Sequence, residues 1–347
     1  MAVALSTADL LARDALPATP TPRFVFLISD SRSGSTLLAR ELTARVADII
    51  VTTELNFDPV FARNWGGRSP LLIAKHVASQ PNFRVASSSH VQGSPELRHG
   101  PEGGAQLFKA LIEQWLSGHS GGLRPDCVVI KNGSHARYGS EIHQVLRERV
   151  KFIFLVRDPR SVVASKLRTR RPYAPWEVMA WGGSLIAALR WRSYARNMAR
   201  AKASGADVLE IRYEELIRDP RGVLEALARH CGCTVRDIAQ PAATYQVPAP
   251  EREIHSMVSE EISSRRVSEW TSALRARDRR IVEAVCGSQM RQRGYTPTTD
   301  DHLFKRLLIC ASAVPQSAWL ALIHLIKTFR SRSPANSRNS TKVDSEN

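Results

Sequence analysis

The sequence predicts an α/β fold, with a central and mainly parallel sheet flanked by helices on both faces. Two observations predict it: short, uniformly apolar runs rich in β-formers, and the recurrence of such runs ahead of polar turns and segments of helical period. A strand apolar at every position is buried on both faces, which is the condition of parallel strands covered by crossover helices. The first run is RFVFLI at 23–28, followed by the polar SDSRSGS and then by TLLARELTARV with apolar residues at helical spacing. The order repeats at 151–169, where KFIFLV is followed by Asp158 and Pro159, a helix cap and a first-turn proline, ahead of SVVASKLRT. DCVVIK (126–131) and DVLEIRY (207–213) predict two further strands, beside helical stretches at 139–149 and 220–230. A short strand is expected before Glu54.

Other segments carry weaker patterns. Trp181, Leu185, Ala188 and Arg192 recur at helical steps and predict a long helix from about Trp176 to Ala203. Residues 84–105, with their Ser and Gly clusters, read as a long surface loop of the kind that covers binding sites. LLICASAVPQSAWLALIHLI (307–326) is strongly apolar and flanked by Lys305, Arg306, Lys327 and Arg330. It approaches the length of a bilayer span, but Pro315, Gln316, Ser317 and His324 interrupt it, so a helical hairpin or an interfacial anchor is expected over 303–330. A pair of helices packed on the domain is the alternative. The expected organisation is therefore a poorly ordered segment at 1–22, one large domain at 23–298, a helical segment at 299–331 and a disordered tail at 332–347.

The 347 residues, 43% hydrophobic and 24% charged, are those of an ordinary globular protein. A formal charge of +16 and a pI near 10.2 favour an anionic partner without choosing among nucleotide, sugar, lipid and nucleic acid. Five scattered cysteines with no metal-ligand spacing imply a reduced, metal-free protein. Asp9 and Asp14 in the first twenty residues depart from the pattern of an export signal, so a cytoplasmic location is expected.

The loop Ser31-Arg32-Ser33-Gly34-Ser35-Thr36 joins a strand to a helix and offers backbone N–H groups and the positive helix end to an anion. Gly34 permits close approach, and Ser33, Ser35 and Thr36 add hydroxyl donors. A nucleoside triphosphatase loop requires G-x-x-x-x-G-K-[ST]. Here Ser29 replaces the first glycine and Ser35 the lysine, while the cation stands two residues before Gly34, as Arg32. Arg157 ends the strand KFIFLV and Ser165 follows eight residues later, so an arginine and a helix hydroxyl are available to one phosphate at the carboxyl end of the sheet.

With these motifs the sequence resembles the sulfotransferases that use 3′-phosphoadenosine 5′-phosphosulfate (PAPS), closest in style to carbohydrate-type and bacterial members. The matching pieces are SRSGSTLL (31–38), FLVRDPRSVVASKL (154–167), VLEIRYEELIRDPRGVLEALARHCG (208–232), and SEW (268–270) with CGSQMRQRGY (286–295). The resemblance implies a P-loop sulfotransferase-like fold, with the 5′-phosphosulfate on Arg32, Ser33, Gly34, Ser35 and Thr36 and the 3′-phosphate on Arg157 and Ser165. It implies Arg32 as the cation at the departing phosphate oxygen and Glu54, in VTTELNFDP, as the base, with PAPS as co-substrate and no metal. Asp58, His90 and His135 are the competing bases. Lys131 falls where the family often has a lysine near the active site, and Arg168, Arg170 and Arg171 form a basic cluster available to an acidic acceptor. The acceptor is expected to be a hydroxyl of a saccharide or glycolipid, with no nucleic acid bound. The alternatives are a P-loop kinase or NTPase with an atypical loop, a protein that binds PAPS without transfer, and a basic polyanion-binding protein.

Overall fold

The computed structural model describes residues 22–84, 100–119, 125–171, 174–237, 265–299 and 303–331. In chain order the strands are β1 (Arg23–Ile28), β2 (Ile49–Val51), β3 (Cys127–Lys131), β4 (Val150–Val156), β5 (Arg170–Arg171), β6 (Ala174–Val178) and β7 (Val208–Arg212). The helices of ten or more residues are α1 (Ser35–Arg45), α2 (Pro101–His119), α3 (Pro159–Arg168), α4 (Gly183–Ala203), α5 (Pro220–Cys231), α6 (Ala276–Gln292) and α7 (Leu303–Ser331). The chain forms two compact units, one of residues up to Arg157 with Tyr194–Ser264, the other of Asp158–Ser193 with the residues from Arg265 on.

The first unit holds the predicted sheet, five strands in the order β2-β3-β1-β4-β7, every pair parallel. Phe24, Val25, Phe26, Leu27 and Ile28 of β1 are all buried. Successive strand residues point to opposite faces, so both faces of the sheet are covered. Phe108 of α2 meets Phe24 edge-on at 5.0 Å and lies 6.0 Å from Phe26. α5 packs against α1, β4 and β7. Because all five strands run the same way, their carboxyl ends, and the turns that follow them, collect along one edge.

The second unit centres on a buried ionic cluster. Asp158 caps α3 by accepting from the Arg160 N–H at 2.8 Å, and its carboxylate also takes the Arg160 guanidinium at 2.7 Å. The same guanidinium donates to Glu283 of α6 at 3.0 Å and lies 3.9 Å over the Trp270 ring. Glu283 accepts in addition from the backbone and hydroxyls of Thr298 and Thr299. Each ion is thus paired and its remaining sites are bonded, the condition under which buried charge is tolerated.

Three expectations are corrected. The long helix starts at Gly183 rather than near Trp176, because Gly183 takes a left-handed φ of 72°, which an α-helix cannot extend back through, and Ala174–Val178 instead pair antiparallel with β5. The end of the expected loop at 84–105 is already helical, since α2 begins at Pro101, a residue preorganised for a first turn; residues 85–99 lie outside the described residues, as do the segment 1–21 and the tail 332–347. α7 runs unbroken through Pro315, not as a hairpin, held to its unit by polar contacts on both sides of the proline. The five cysteines are free thiols, and Cys127 of β3 lies beside Cys231 and Cys233, which together with burial push its thiol up.

Candidate active site

In the first unit, β1 delivers the chain to a tight turn in which the Ser33 N–H donates to the Asp30 carbonyl at 3.2 Å. Arg32 and Gly34 both take positive φ, 72° and 97°. For a non-glycine residue this conformation is costly, on the order of 1 kcal/mol or more, and such strain is held where surrounding contacts enforce it. Gly34 stands at the N-cap of α1 and supplies no side-chain cap, and the first turn carries no acidic residue. The helix end therefore keeps first-turn N–H groups that no side chain has capped. Beneath it the Ser33 hydroxyl is buried with no hydrogen-bond partner. A helix N-terminus with no capping side chain, beside the buried Ser33 hydroxyl, fits a phosphate or sulfate oxygen, while the one carboxylate of the turn, Asp30, is buried.

The loop is tied to the next strands. Arg157, which follows β4, donates from Nη1 to the Arg32 carbonyl at 3.1 Å, and its guanidinium lies 4.4 Å over the ring of Tyr213, which follows β7. A Cβ on Gly34 would meet Tyr213 Cδ2 at 2.5 Å. Gly34 is thus required twice, by its φ and by the tyrosine ring against it. Sequence reasoning does not single out Tyr213, which lies within a segment that carries the resemblance; the signal that marks it is its position, an aromatic residue directly after a parallel strand at the edge where the loop lies.

Glu54 and Lys131, 77 residues apart, are brought together: Lys131 Nζ and Glu54 Oε1 are 2.5 Å apart. The lysine side chain is 4% exposed and the glutamate 36%, so the carboxylate is the member of the pair that solvent reaches. Adjacent strands explain the meeting, since β2 pairs with β3, Lys131 ends β3, and the Lys131 N–H donates to Thr52 Oγ1 at 3.2 Å. Along the carboxyl edge the order is then Glu54 after β2, Lys131 on β3, Arg32–Thr36 after β1, Arg157 after β4 and Tyr213 after β7.

The competing bases fare differently. His135 is fully buried rather than a surface residue; its Nε2 accepts the Phe57 N–H at 3.0 Å and its ring stands edge-on to Phe26 at 5.0 Å. Burial holds its pKa down, at about 3. It is a neutral core group. Its folded pKa lies below the ordinary 6.5, so the stability it contributes is present above pH 6.5 and is lost as pH falls toward 3. The slope reaches about 1.4 kcal/mol per pH unit. His135→Gln, which keeps an acceptor for Phe57, is expected to flatten this dependence in urea midpoints taken from neutral to mildly acidic pH. Asp58 lies 3.8 Å from the same ring, and burial raises its pKa, with Ser134 and Arg137 opposing. His90 lies outside the described residues.

Ser165 stands on α3, in the second unit. In that unit Arg168 pairs with Glu269 at 3.0 Å and Arg171 with Glu177 at 3.1 Å, so two members of the basic cluster already meet carboxylates. Among the described residues no group of three or more His, Cys, Asp and Glu has the arrangement of a metal site.

Comparison with known proteins bears on the whole edge. The model of the Sulfotransferase family matches residues 22–237, which include the loop, Glu54, Lys131, Arg157 and Tyr213. The chain is similar to the sulfotransferase domain from the curacin biosynthetic pathway, at 20% identity over 80% of this chain and 99% of that one, with a TM-score of 0.48. It is similar to the sulfotransferase domain of the Synechococcus PCC 7002 olefin synthase at 22% identity, over 77% and 96%, with a TM-score of 0.45. For mouse sulfotransferase SULT7A1 complexed with PAP the identity is 15%, over 81% and 89%, with a TM-score of 0.42. No curated protein matches the sequence. The family match alone spans more than half of the chain, from the start of the sheet to beyond its last strand, and by it this protein belongs to the sulfotransferase family.

Proposed function

We propose that the protein transfers the sulfuryl group of PAPS to a hydroxyl of a saccharide or glycolipid in the cytoplasm of a bacterium. Residues 23–298 carry this chemistry. The observation that supports the reading most is the N-terminus of α1 with no capping side chain, with the buried Ser33 hydroxyl beneath it and Arg157 fastened to the same loop. The loop from Arg32 to Thr36 receives the 5′-phosphosulfate. Arg157 receives the 3′-phosphate, with Ser165 as the second ligand that the family pattern assigns.

In the transfer, the acceptor oxygen attacks sulfur in line as Glu54 takes its proton. The new O–S bond forms while the bond from sulfur to the 5′-phosphate oxygen breaks, and the electron pair stays on that oxygen. Negative charge grows there, and the Arg32 guanidinium offsets it. Lys131 orients Glu54 from the buried side. The donor's charge is met by guanidinium groups and amides, so the reading requires no metal.

Calorimetric titration with 3′-phosphoadenosine 5′-phosphate (PAP), with AMP and ATP as controls, tests the donor assignment. PAP is expected to bind better than AMP, and Arg157→Ala to remove most of that preference, about tenfold or more for a charge-assisted phosphate contact. ATP binding equal to or better than PAP, indifferent to Arg157→Ala, would sink the assignment and favour a kinase-like enzyme with an atypical loop. Gly34→Ala is expected to weaken PAP binding about tenfold or more, because the new methyl drives the loop off Tyr213.

A further inference from the structure

α7 leaves a row of large apolar residues outside. Toward its own unit it turns Ala313, 2% exposed, and Ser317, 6%, with the half-buried Ile309 and Leu320 beside them, while Arg306 donates to the Ala284 carbonyl at 2.6 Å and His324 Nδ1 lies 2.7 Å from Glu177. The His324 ring also stacks on Trp181 at 4.8 Å. On the other side Leu307, Leu308, Val314, Trp319, Leu322 and Leu325 are exposed, Trp319 to 62%. At about 100° per residue these six fall on one stripe about 140° wide, opposite the seam of Arg306, Ala313, Ser317 and His324. Hydrogen bonds at both ends of the seam fix the rotation of the helix, so the apolar stripe is turned outward by specific contacts.

From Leu303 to Val343 the sequence has seven basic residues, Lys305, Arg306, Lys327, Arg330, Arg332, Arg338 and Lys342, and no Asp or Glu. An apolar stripe bearing a tryptophan, set within a stretch of one positive sign, is complementary to a surface that is apolar within and anionic at its face. Lys305–Leu325 is long and apolar enough, by length and composition, to cross a membrane. The seam argues for the other geometry. Arg306 and His324 are both fastened to the unit, and the helix between them is about 27 Å long. A helix fastened to protein at both of these positions keeps one side against its unit and turns the other outward, which favours an orientation in the interface over a span.

We propose that the outward stripe of α7 docks this protein on the surface of anionic lipid bilayers. The stripe enters the boundary between headgroups and acyl chains, and the positive charge of the sequence around it favours an anionic surface. The proposal goes beyond sulfuryl transfer and does not depend on it.

The test is co-sedimentation of the full chain with vesicles of phosphatidylcholine alone and of phosphatidylcholine mixed with phosphatidylglycerol. Leu308→Glu combined with Trp319→Glu is compared with Leu72→Glu, an exposed leucine of the first unit. The expected result is binding to the anionic vesicles, weakened by salt, lowered about tenfold or more by the double substitution and unchanged by Leu72→Glu. Far-UV circular dichroism and the urea midpoint establish that the double variant is folded. Binding to neither vesicle, equal binding to both, or binding indifferent to the double substitution overturns the proposal. A concentration-dependent dimer that the double substitution abolishes, without vesicle binding, also overturns it and makes the stripe an interface between two copies of this chain. Because no readout involves PAPS, failure here leaves the sulfuryl-transfer reading untouched.

Discussion

Glu54→Gln is expected to lower turnover by about 10²–10⁴-fold, the usual contribution of a positioned general base, with PAP affinity unchanged. The amide has the shape of the carboxylate and keeps an oxygen for the Lys131 ammonium, so the fold and the donor loop have no reason to move. What it lacks is the basic oxygen that the proposed transfer uses to take the acceptor's proton. Labelled sulfur transferred from PAPS into a pool of saccharides and glycolipids measures the loss, and PAP calorimetry measures what is retained. Turnover equal to wild type would remove Glu54 from the proton transfer. A parallel loss of PAP binding would make Glu54 part of the donor site instead.

The second large effect falls on stability. Glu283→Ala is expected to cost about 3–5 kcal/mol, because the alanine leaves the Arg160 guanidinium buried with one of its two carboxylates gone. The Arg160 and Glu283 side chains are 6% and 1% exposed, so water cannot replace the lost partner without opening the unit. Two threonine hydroxyls and two backbone N–H groups lose their acceptor as well. Glu225→Ala is the comparison: it breaks an i,i+4 pair with Arg221 at the same 3.0 Å, but those side chains are 42% and 89% exposed, and a cost of about 0.5 kcal/mol is expected. Urea midpoints of the two variants measure whether burial, at equal distance, makes the difference. Similar midpoints would mean that the cluster of the second unit relaxes when its acid is removed.

Much of the candidate site is legible in the sequence because it is local. RFVFLI and KFIFLV announce buried strands by being apolar at every position, and SRSGST announces an anion loop because hydroxyls, a glycine and a helix start lie within six residues. Asp158 and Pro159 mark the start of α3 by capping chemistry that needs no distant partner. Where local signals conflict, the stronger one decides. The helical spacing of Trp181, Leu185 and Ala188 extends in sequence toward Trp176, but the left-handed Gly183 ends the helix there. Pro315 is a helix breaker by sequence, but a proline removes one hydrogen bond and α7 keeps contacts on either side of it.

By itself the sequence determined the α/β class, the positions of the sheet strands and the resemblance to sulfotransferases, since each is written in residues close together in the chain. The tertiary structure decided which distant residues meet. The strand order β2-β3-β1-β4-β7 sets the carboxyl ends of β2 and β3 side by side, and only then does Lys131 reach Glu54. Tyr213 comes under Arg157 and against Gly34 through the pairing of β7 with β4, and Cys127 is brought beside Cys231 and Cys233. The outward stripe of α7 was equally beyond the sequence, because a periodic pattern shows that a helix has two faces and not which of them the protein covers.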